Sequence, residues 1–151
     1  MIEEKIFYML EDIYQSFLEY NSKIIGSRYE NLNLNEIHAI DYIGKNEFPN
    51  VTRIAAHLRI TKGAVTKIIT KLKRLGYVEM FKEEQNKKEK YFRLSRKGQA
   101  MFARHKTIHK DTLEQYKNMY KRFSPAELET VSSFLGVIQK ELEDKLKNNQ
   151  G

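Results

Sequence analysis

VTRIAAHLRITKGAVTKIITKLKRLG, residues 51–76, reads as two helices and the break between them. Val51 to Leu58 is a short helical pattern in which the small Ala55 and Ala56 let another helix approach closely. After a break at Arg59-Ile60, Thr61 is placed to cap a second helix, in which Val65, Ile68, Ile69, Leu72 and Leu75 share one face at steps of three and four. The opposite face carries Lys62, Thr66, Lys67, Thr70, Lys71 and Arg74, and Gly76 stands where a helix commonly stops. Two short helices with a tight break, the second apolar on one side and Lys/Thr on the other, have the layout of a helix-turn-helix whose second helix enters a major groove.

Outward from this pair the periodicity changes. Tyr77–Lys82 and Lys90–Leu94 are rich in β-formers, and the polar run between them predicts a hairpin that turns at Asn86-Lys87-Lys88. Such a hairpin forms a wing that brings basic side chains to flanking phosphates or a minor groove. Upstream, apolar residues recur from Ile2 through Phe17 and Leu18 to Ile24 and Ile25, which predicts a long amphipathic helix stopping at Gly26. Asn33, with Glu36 three residues on, has the form of a capping box opening a short helix that Gly44 ends. Downstream, Ser95-Arg96-Lys97-Gly98 leads into a long helix ending near Phe123, and Ser124-Pro125-Ala126-Glu127 starts a last helix through Leu146. The tail 147–151 is expected to fray.

Composition removes whole classes of chemistry. The 151 residues include no Cys, so disulfides, thiolate metal sites and cysteine nucleophiles are excluded, and any metal would need His and carboxylates. There is no Gly-rich phosphate loop and no Ser in a strand-to-helix elbow, so no enzyme is expected. No run approaches the ~18 consecutive apolar residues of a membrane span. The acidic, amphipathic Met1–Lys5 is unlike a targeting segment, which points to a soluble cytoplasmic protein. Charge is uneven: residues 1–50 hold four basic and nine acidic side chains, 51–98 hold 14 and 4, and 99–151 hold 9 and 7. Concentrating the excess in the middle third suits binding of a polyanion, where neutralised phosphates release counterions.

In this order the elements resemble the MarR family of bacterial transcription regulators, over essentially the whole chain. The resemblance is carried by Ile54-Ala55-Ala56-His57-Leu58, by Thr61-Lys62-Gly63-Ala64-Val65-Thr66-Lys67, by Leu72-Lys73-Arg74-Leu75-Gly76-Tyr77-Val78-Glu79, and by Leu94-Ser95-Arg96-Lys97-Gly98. It implies a mainly α fold with a small β wing, a winged helix-turn-helix with long N- and C-terminal dimerisation helices. Residues 1–34 would form the N-terminal dimerisation helix and connection, 35–98 the DNA-binding lobe and 99–151 the C-terminal dimerisation helices of a single continuous domain. A homodimer would present two lobes to an operator in double-stranded DNA as a ligand-responsive repressor. Ser27-Arg28-Tyr29, Glu36-Ile37-His38 and His105–Lys110 look like the fatty-acid-biosynthesis repressor branch, which senses acyl-acyl carrier protein and would act on lipid-synthesis genes. His38, His105 and His109 also resemble the zinc-sensing branch, in which a His of the second helix joins a His-x-x-x-His pair of the fifth. Alternatives are therefore a zinc-responsive regulator, one answering another small molecule, and a non-specific architectural DNA-binding protein.

The site residues follow. Thr61, Lys62, Gly63, Thr66, Lys67, Thr70 and Lys71 are the groove candidates, since short hydroxyls reach base edges and lysines reach guanine or phosphate. Lys87, Lys88 and Lys90 are the wing candidates. The family's wing tip carries an Asp-Arg-Arg-like turn where this chain has Asn86-Lys87-Lys88, and lysine holds phosphate as a point charge, so phosphate contact is expected in place of minor-groove reading. Arg93 reads as a structural partner or a phosphate contact, and His57 as a surface residue. Glu36, His38, His105 and His109 are the effector-pocket candidates. His105 and His109, at i and i+4, share a helix face and with His38 form the candidate metal ligands. Ser22 falls near where the zinc sensors supply a glutamate, which leaves Glu19, Glu36 or Asp41 as substitutes. The plainer reading of the three histidines is structural hydrogen bonding between the dimerisation and DNA-binding parts.

Overall fold

A computed structural model describes residues 1–148, the side chains of residues 25 and 26 excepted. The elements run α1 (Ile2–Tyr20), a π-helical turn (Asn21–Ile25), α2 (Gly26–Arg28), α3 (Leu34–Lys45), α4 (Val51–Leu58), α5 (Lys62–Arg74), β1 (Val78–Glu83), β2 (Asn86–Leu94), α6 (Arg96–Tyr120) and α7 (Pro125–Asn148). The chain is mainly helical with one two-stranded antiparallel wing. It divides into two compact units, residues 1–106 and 107–151, with the boundary inside the continuous helix α6. Residues 149–151 of the tail expected to fray lie outside the described residues.

The core of the first unit is the apolar pattern of the sequence turned inward. Ile37, Ile40 and Ile43 of α3, Ile54 of α4, and Val65, Ile68, Ile69 and Leu72 of α5 are buried together with Val78, Phe92 and Leu94 of the wing. Each such side chain contributes about 1.5–3 kcal/mol by leaving water. Local chemistry sets the helix starts. Asn33 Oδ1 accepts from Glu36 N and Glu36 Oε2 from Asn33 N, both at 3.0 Å, while Asn50 Oδ1 accepts from Arg53 N (2.8 Å) and Thr61 Oγ1 from Ala64 N (3.2 Å). Each satisfies an amide that the first helical turn leaves without a partner. The break between α4 and α5 is made by Arg59 in the left-handed region (φ 56), and Gly76 (φ 80) ends the turn after α5.

Three local expectations are corrected. The first helix does not stop at Gly26: the backbone passes through a π turn and continues to Arg28, and the left-handed Glu30 (φ 53) and Asn31 (φ 65) make the real stop. A single glycine costs a helix only about 1 kcal/mol, too little to end it alone. Gly44 does not end α3 but lies inside it; a Cβ there would stand 2.8 Å from Phe102 Cδ2, so its role is close packing.

The wing, finally, turns at Glu84-Gln85, and Asn86, Lys87 and Lys88 belong to β2. Register explains this. Val78 faces Leu94 and Phe81 faces Tyr91, held by buried Tyr91 and Phe92 and by the bond from Phe92 N to Pro49 O (3.0 Å). Glu83 then faces Asn86, so Lys82 stands opposite the Lys87–Lys90 stretch, which bulges.

The terminal helices differ in kind. The box at Ser124 forms as expected, Glu127 Oε2 accepting from Ser124 N (2.7 Å) and Ser124 Oγ from Glu127 N (3.3 Å). Yet no residue of α1 or of α7 is buried, and Phe7, Tyr8, Ile13, Phe17 and Leu18 of α1, like Val131, Phe134, Leu135 and Leu142 of α7, are exposed.

Candidate nucleic-acid interface and histidine cluster

The outer face of α5 follows from its inner one: with Val65, Ile68, Ile69 and Leu72 buried, Lys62, Thr66, Lys67 and Thr70 must point away from the core, and all are exposed. Thr66 Oγ1 donates to Lys62 O (2.9 Å) and Thr70 Oγ1 to Thr66 O (2.8 Å). Their hydroxyl protons thus rest on the backbone, and the oxygens remain acceptors at the surface. A shallow groove runs beside them, lined by Thr66, Lys67, Thr70, Lys71 and Arg74. At Gly63 a Cβ would meet only Thr61 Oγ1, at 4.0 Å, so packing within the chain does not require glycine there. What its absent side chain provides is close access to the start of α5 from outside.

Lys71 lines the groove and also reaches inward. Its Nζ donates to Glu36 Oε1 (2.8 Å) and Oε2 (2.9 Å), reaching back to a carboxylate whose side chain is only 5% exposed. Glu36, named as an effector-pocket candidate, has its carboxylate committed to Lys71 and to the backbone of Asn33. The pair is a strut between α3 and α5: an amphipathic lysine at a helix edge goes to a buried charge within reach, because that charge is costly when left alone.

Lys87, Lys88 and Lys90 are exposed on the bulged part of β2, whereas Glu89 between them accepts from Asn50 Nδ2 (2.8 Å). Asn50 therefore caps α4 with its oxygen and ties down the wing with its nitrogen. Of the two readings of Arg93, the structural one is present: Nε donates to Glu79 Oε2 across the strands (3.1 Å), and the guanidinium lies 5.9 Å from the Phe81 ring centroid. His57 is a surface residue whose ring stacks 4.6 Å from that of Tyr42.

The Leu94–Gly98 segment joins α5, the wing and α6. Ser95 Oγ donates to Gly76 O (2.5 Å) and accepts from Gly98 N (3.1 Å), Ser95 N donates to Tyr77 O (3.0 Å), and Lys97 Nζ donates to Leu75 O (3.1 Å). A Cβ on Gly98 would stand 2.0 Å from the Tyr77 carbonyl oxygen, so only glycine permits this approach. Tyr77, 2% exposed, donates its hydroxyl to Glu30 Oε2 (2.5 Å); burial first, and then that bond, push its phenol up to about 12.

His38 of α3 and His105 and His109 of α6 come together. The rings of His38 and His105 lie 5.8 Å apart, and one nitrogen from each of the three lies within 4.8 Å of the others. His105 is buried, His38 half-buried and His109 exposed. Tyr29 Oη and His105 Nδ1 are 2.9 Å apart, a bond that orients the ring. Burial raises the Tyr29 phenol above its ordinary value, so it is a neutral partner.

Three imidazoles on a shared space fit zinc or a similar borderline cation. No carboxylate of the described residues joins them: Glu36 is held by Lys71, Asp41 by Lys45 (2.5 Å), and Glu19 by Lys23. The expected carboxylate substitutes are thus engaged elsewhere, and an ion here would complete its shell with solvent. Sequence reasoning paired neither Glu30 with Tyr77 nor Tyr29 with His105, because those partners lie 47 and 76 residues apart.

Comparison with known proteins places this architecture. The sequence model of the MarR family matches residues 32–90. The HTH-type transcriptional regulator PchR of Bacillus subtilis is 37% identical over 111 residues, covering 74% of this chain and 66% of that protein. The matched region spans 58–66% of the length of PchR and of two other HTH-type regulators of B. subtilis, YhjH and YvnA. Streptococcus pneumoniae FabT, in a crystal structure with DNA, superposes with a TM-score of 0.78 at 27% identity over 94% of this chain and 98% of that one. Lactococcus lactis ZitR, described as zinc-responsive, superposes with a TM-score of 0.76 at 25% identity over 94% and 99%.

Proposed function

This chain belongs to the MarR family, and from that premise we propose that it is a dimeric, ligand-responsive repressor that binds a specific sequence of double-stranded DNA. The observation that carries the reading is the outer face of α5: a capped helix whose core face is fully used, whose other face offers Thr61, Lys62, Gly63, Thr66, Lys67 and Thr70, and whose flank is extended by Lys87, Lys88 and Lys90. FabT, a relative solved with DNA, supports it. Residues 35–98 are the DNA-binding lobe. Residues 1–34 and 99–151 are the dimerisation parts, because the bare apolar faces of α1 and α7 call for a second copy. Two lobes on such a dimer meet successive major grooves about 34 Å apart. Work on chromosomal DNA places the protein in the cytoplasm, and we assign it no catalysis.

The effector site is the histidine cluster. The resemblance of Ser27-Arg28-Tyr29, Glu36-Ile37-His38 and His105–Lys110 to the fatty-acid-biosynthesis repressor branch favours an acylated carrier protein and control of lipid-synthesis genes. A second reading rests on the three convergent imidazoles: zinc held by His38, His105 and His109, as a zinc-responsive relative suggests. A bound ion would cross-link α3 to α6; the chain's own part is to hold the rings, with Tyr29 orienting His105.

The test is DNA binding as a function of salt, using a duplex enriched from random sequence and a scrambled control. Affinity should fall linearly on logarithmic axes, by about 0.9 per phosphate contacted. Lys67→Ala should weaken the enriched duplex more than the control, and Lys87→Ala both alike; equal binding of the two duplexes by the parent would make this an architectural protein instead. Native mass spectrometry with added zinc, or with an acylated carrier protein, separates the effectors.

A further inference from the structure

Two adjacent side chains in the turn between α2 and α3 reach two different parts of the first unit. Tyr29 Oη bonds His105 Nδ1 on α6 (2.9 Å), and Glu30 Oε2 accepts from Tyr77 Oη (2.5 Å) at the point where α5 gives way to β1. The turn between these arms is strained. Glu30 (φ 53) and Asn31 (φ 65) occupy the left-handed region that residues with a Cβ seldom adopt, and such a conformation persists only where its surroundings impose it. Here the bond from Leu32 N to Tyr29 O (2.9 Å) closes the turn, buried Leu32 anchors it, and the two side-chain bonds hold it at either hand.

The far end of each arm is stiff. Tyr77 N donates to Leu72 O of α5 (2.9 Å), its carbonyl accepts from Ser95 N and presses on Gly98, and the Lys97 ammonium lies 4.2 Å from its ring centroid. A shift of the Tyr77 hydroxyl is therefore carried to the last turn of α5 and to the first residue of the wing. His105 is the buried member of the histidine cluster. The Tyr77 phenol, pushed up to about 12, is protonated and so a donor well past neutral pH.

We propose that Tyr29 and Glu30 are positioning residues that connect the histidine cluster to the recognition helix and wing: reorientation of His105 moves the turn, and the turn moves Tyr77. The effector role of this link rests on reading the cluster as the effector site. The mechanical link does not, and the two are tested apart. Amide hydrogen exchange is measured on the full chain, first dialysed against chelator and then with zinc chloride, for Tyr29→Phe, Glu30→Ala, Glu30→Gln and the Tyr29→Phe/Glu30→Ala pair. Glu30 is an exposed residue, so its replacement leaves no buried charge, and the Gln variant keeps an oxygen for Tyr77 to donate to.

In the metal-free protein, Tyr29→Phe and Glu30→Ala should each speed exchange at residues 75–78 severalfold. The pair should do no more than the stronger single change, and Glu30→Gln should restore parental rates. Parental rates at 75–78 in Tyr29→Phe, or independent addition of the two effects, would overturn the link. On adding zinc chloride, the parent should gain protection both at 105–109 and at 75–78, and Glu30→Ala only at 105–109. If zinc changes nothing in the parent, the metal reading of the cluster fails while the metal-free comparison still decides the link; if zinc protects 75–78 equally in Glu30→Ala, the link is overturned and the metal reading stands.

Discussion

The lobe from α3 to β2 and the terminal helices α1 and α7 are built from similar amphipathic sequence and end up in opposite states. In the lobe, Ile37, Ile40, Ile54, Val65 and Leu72 are fully buried; in α1 and α7 no residue is buried, although their apolar residues recur with the same period. Periodicity states which face wants to leave water, and says nothing of whether the covering surface lies in the same chain. The lobe closes its core on itself. The terminal helices keep theirs for another surface, which we assign to a second copy.

Substitutions at matched positions put this contrast to the proof. Leu72→Ala should cost the lobe about 2–5 kcal/mol and lower its melting temperature sharply at any protein concentration. Leu135→Ala on α7 should instead give a loss that shrinks as concentration rises, because it acts through association. Concentration-independent melting of the Leu135 variant, together with an unchanged sedimentation mass for Phe134→Glu, would break the comparison.

A smaller effect sharpens it inside the lobe. Lys71→Ala leaves the Glu36 carboxylate, 5% exposed, without its cation; the loss should be about 1–3 kcal/mol, below that of a fully buried pair because the Lys71 side chain is 36% exposed. Chemical denaturation measures it, and Lys71→Ala/Glu36→Gln should recover most of the loss. If Lys71 instead served the groove, the variant would lose DNA affinity at unchanged stability.

The smallest effect appears only in alkali. Tyr77 has its phenol held near 12 against an ordinary 10.0, with Glu30 and Lys97 as its charged neighbours. A group whose pKa is raised by folding stabilises the native state in full below its unfolded value, and that contribution is lost as pH climbs through the folded one. The parent should therefore lose stability between about pH 10 and 12 more steeply than Tyr77→Phe. Parallel profiles would show that the Tyr77 hydroxyl is not held as described.

Much of the fold was legible because its causes are local. Asn33 with Glu36, Thr61 before Lys62, and Ser124 with Glu127 cap their helices through bonds spanning three residues, which a sequence displays directly. The outer face of α5 was legible for a related reason, since naming the buried face names the other. Where causes were not local the reading slipped. Asn86-Lys87-Lys88 has turn-forming chemistry, but the hairpin register is set by Tyr91 and Phe92 packing and by Pro49, and the surplus of β2 became a bulge beyond a turn at Glu84-Gln85. That Lys71, which shares the period of the groove residues, also bonds Glu36, 35 residues earlier, was equally beyond a local reading.

By itself, then, the sequence determined the order of helices and wing, the caps, the basic middle third and the face of α5 turned outward, because spacing and charge along a chain survive folding unchanged. Tertiary structure alone decided that His38 meets His105 and His109, that Lys71 serves Glu36, that Gly98 must lie against Tyr77, and that one strained turn touches both His105 and Tyr77. Those pairings join residues many turns apart, and what selects them is burial: a polar group taken out of water must find its partner wherever the packed core brings one within reach.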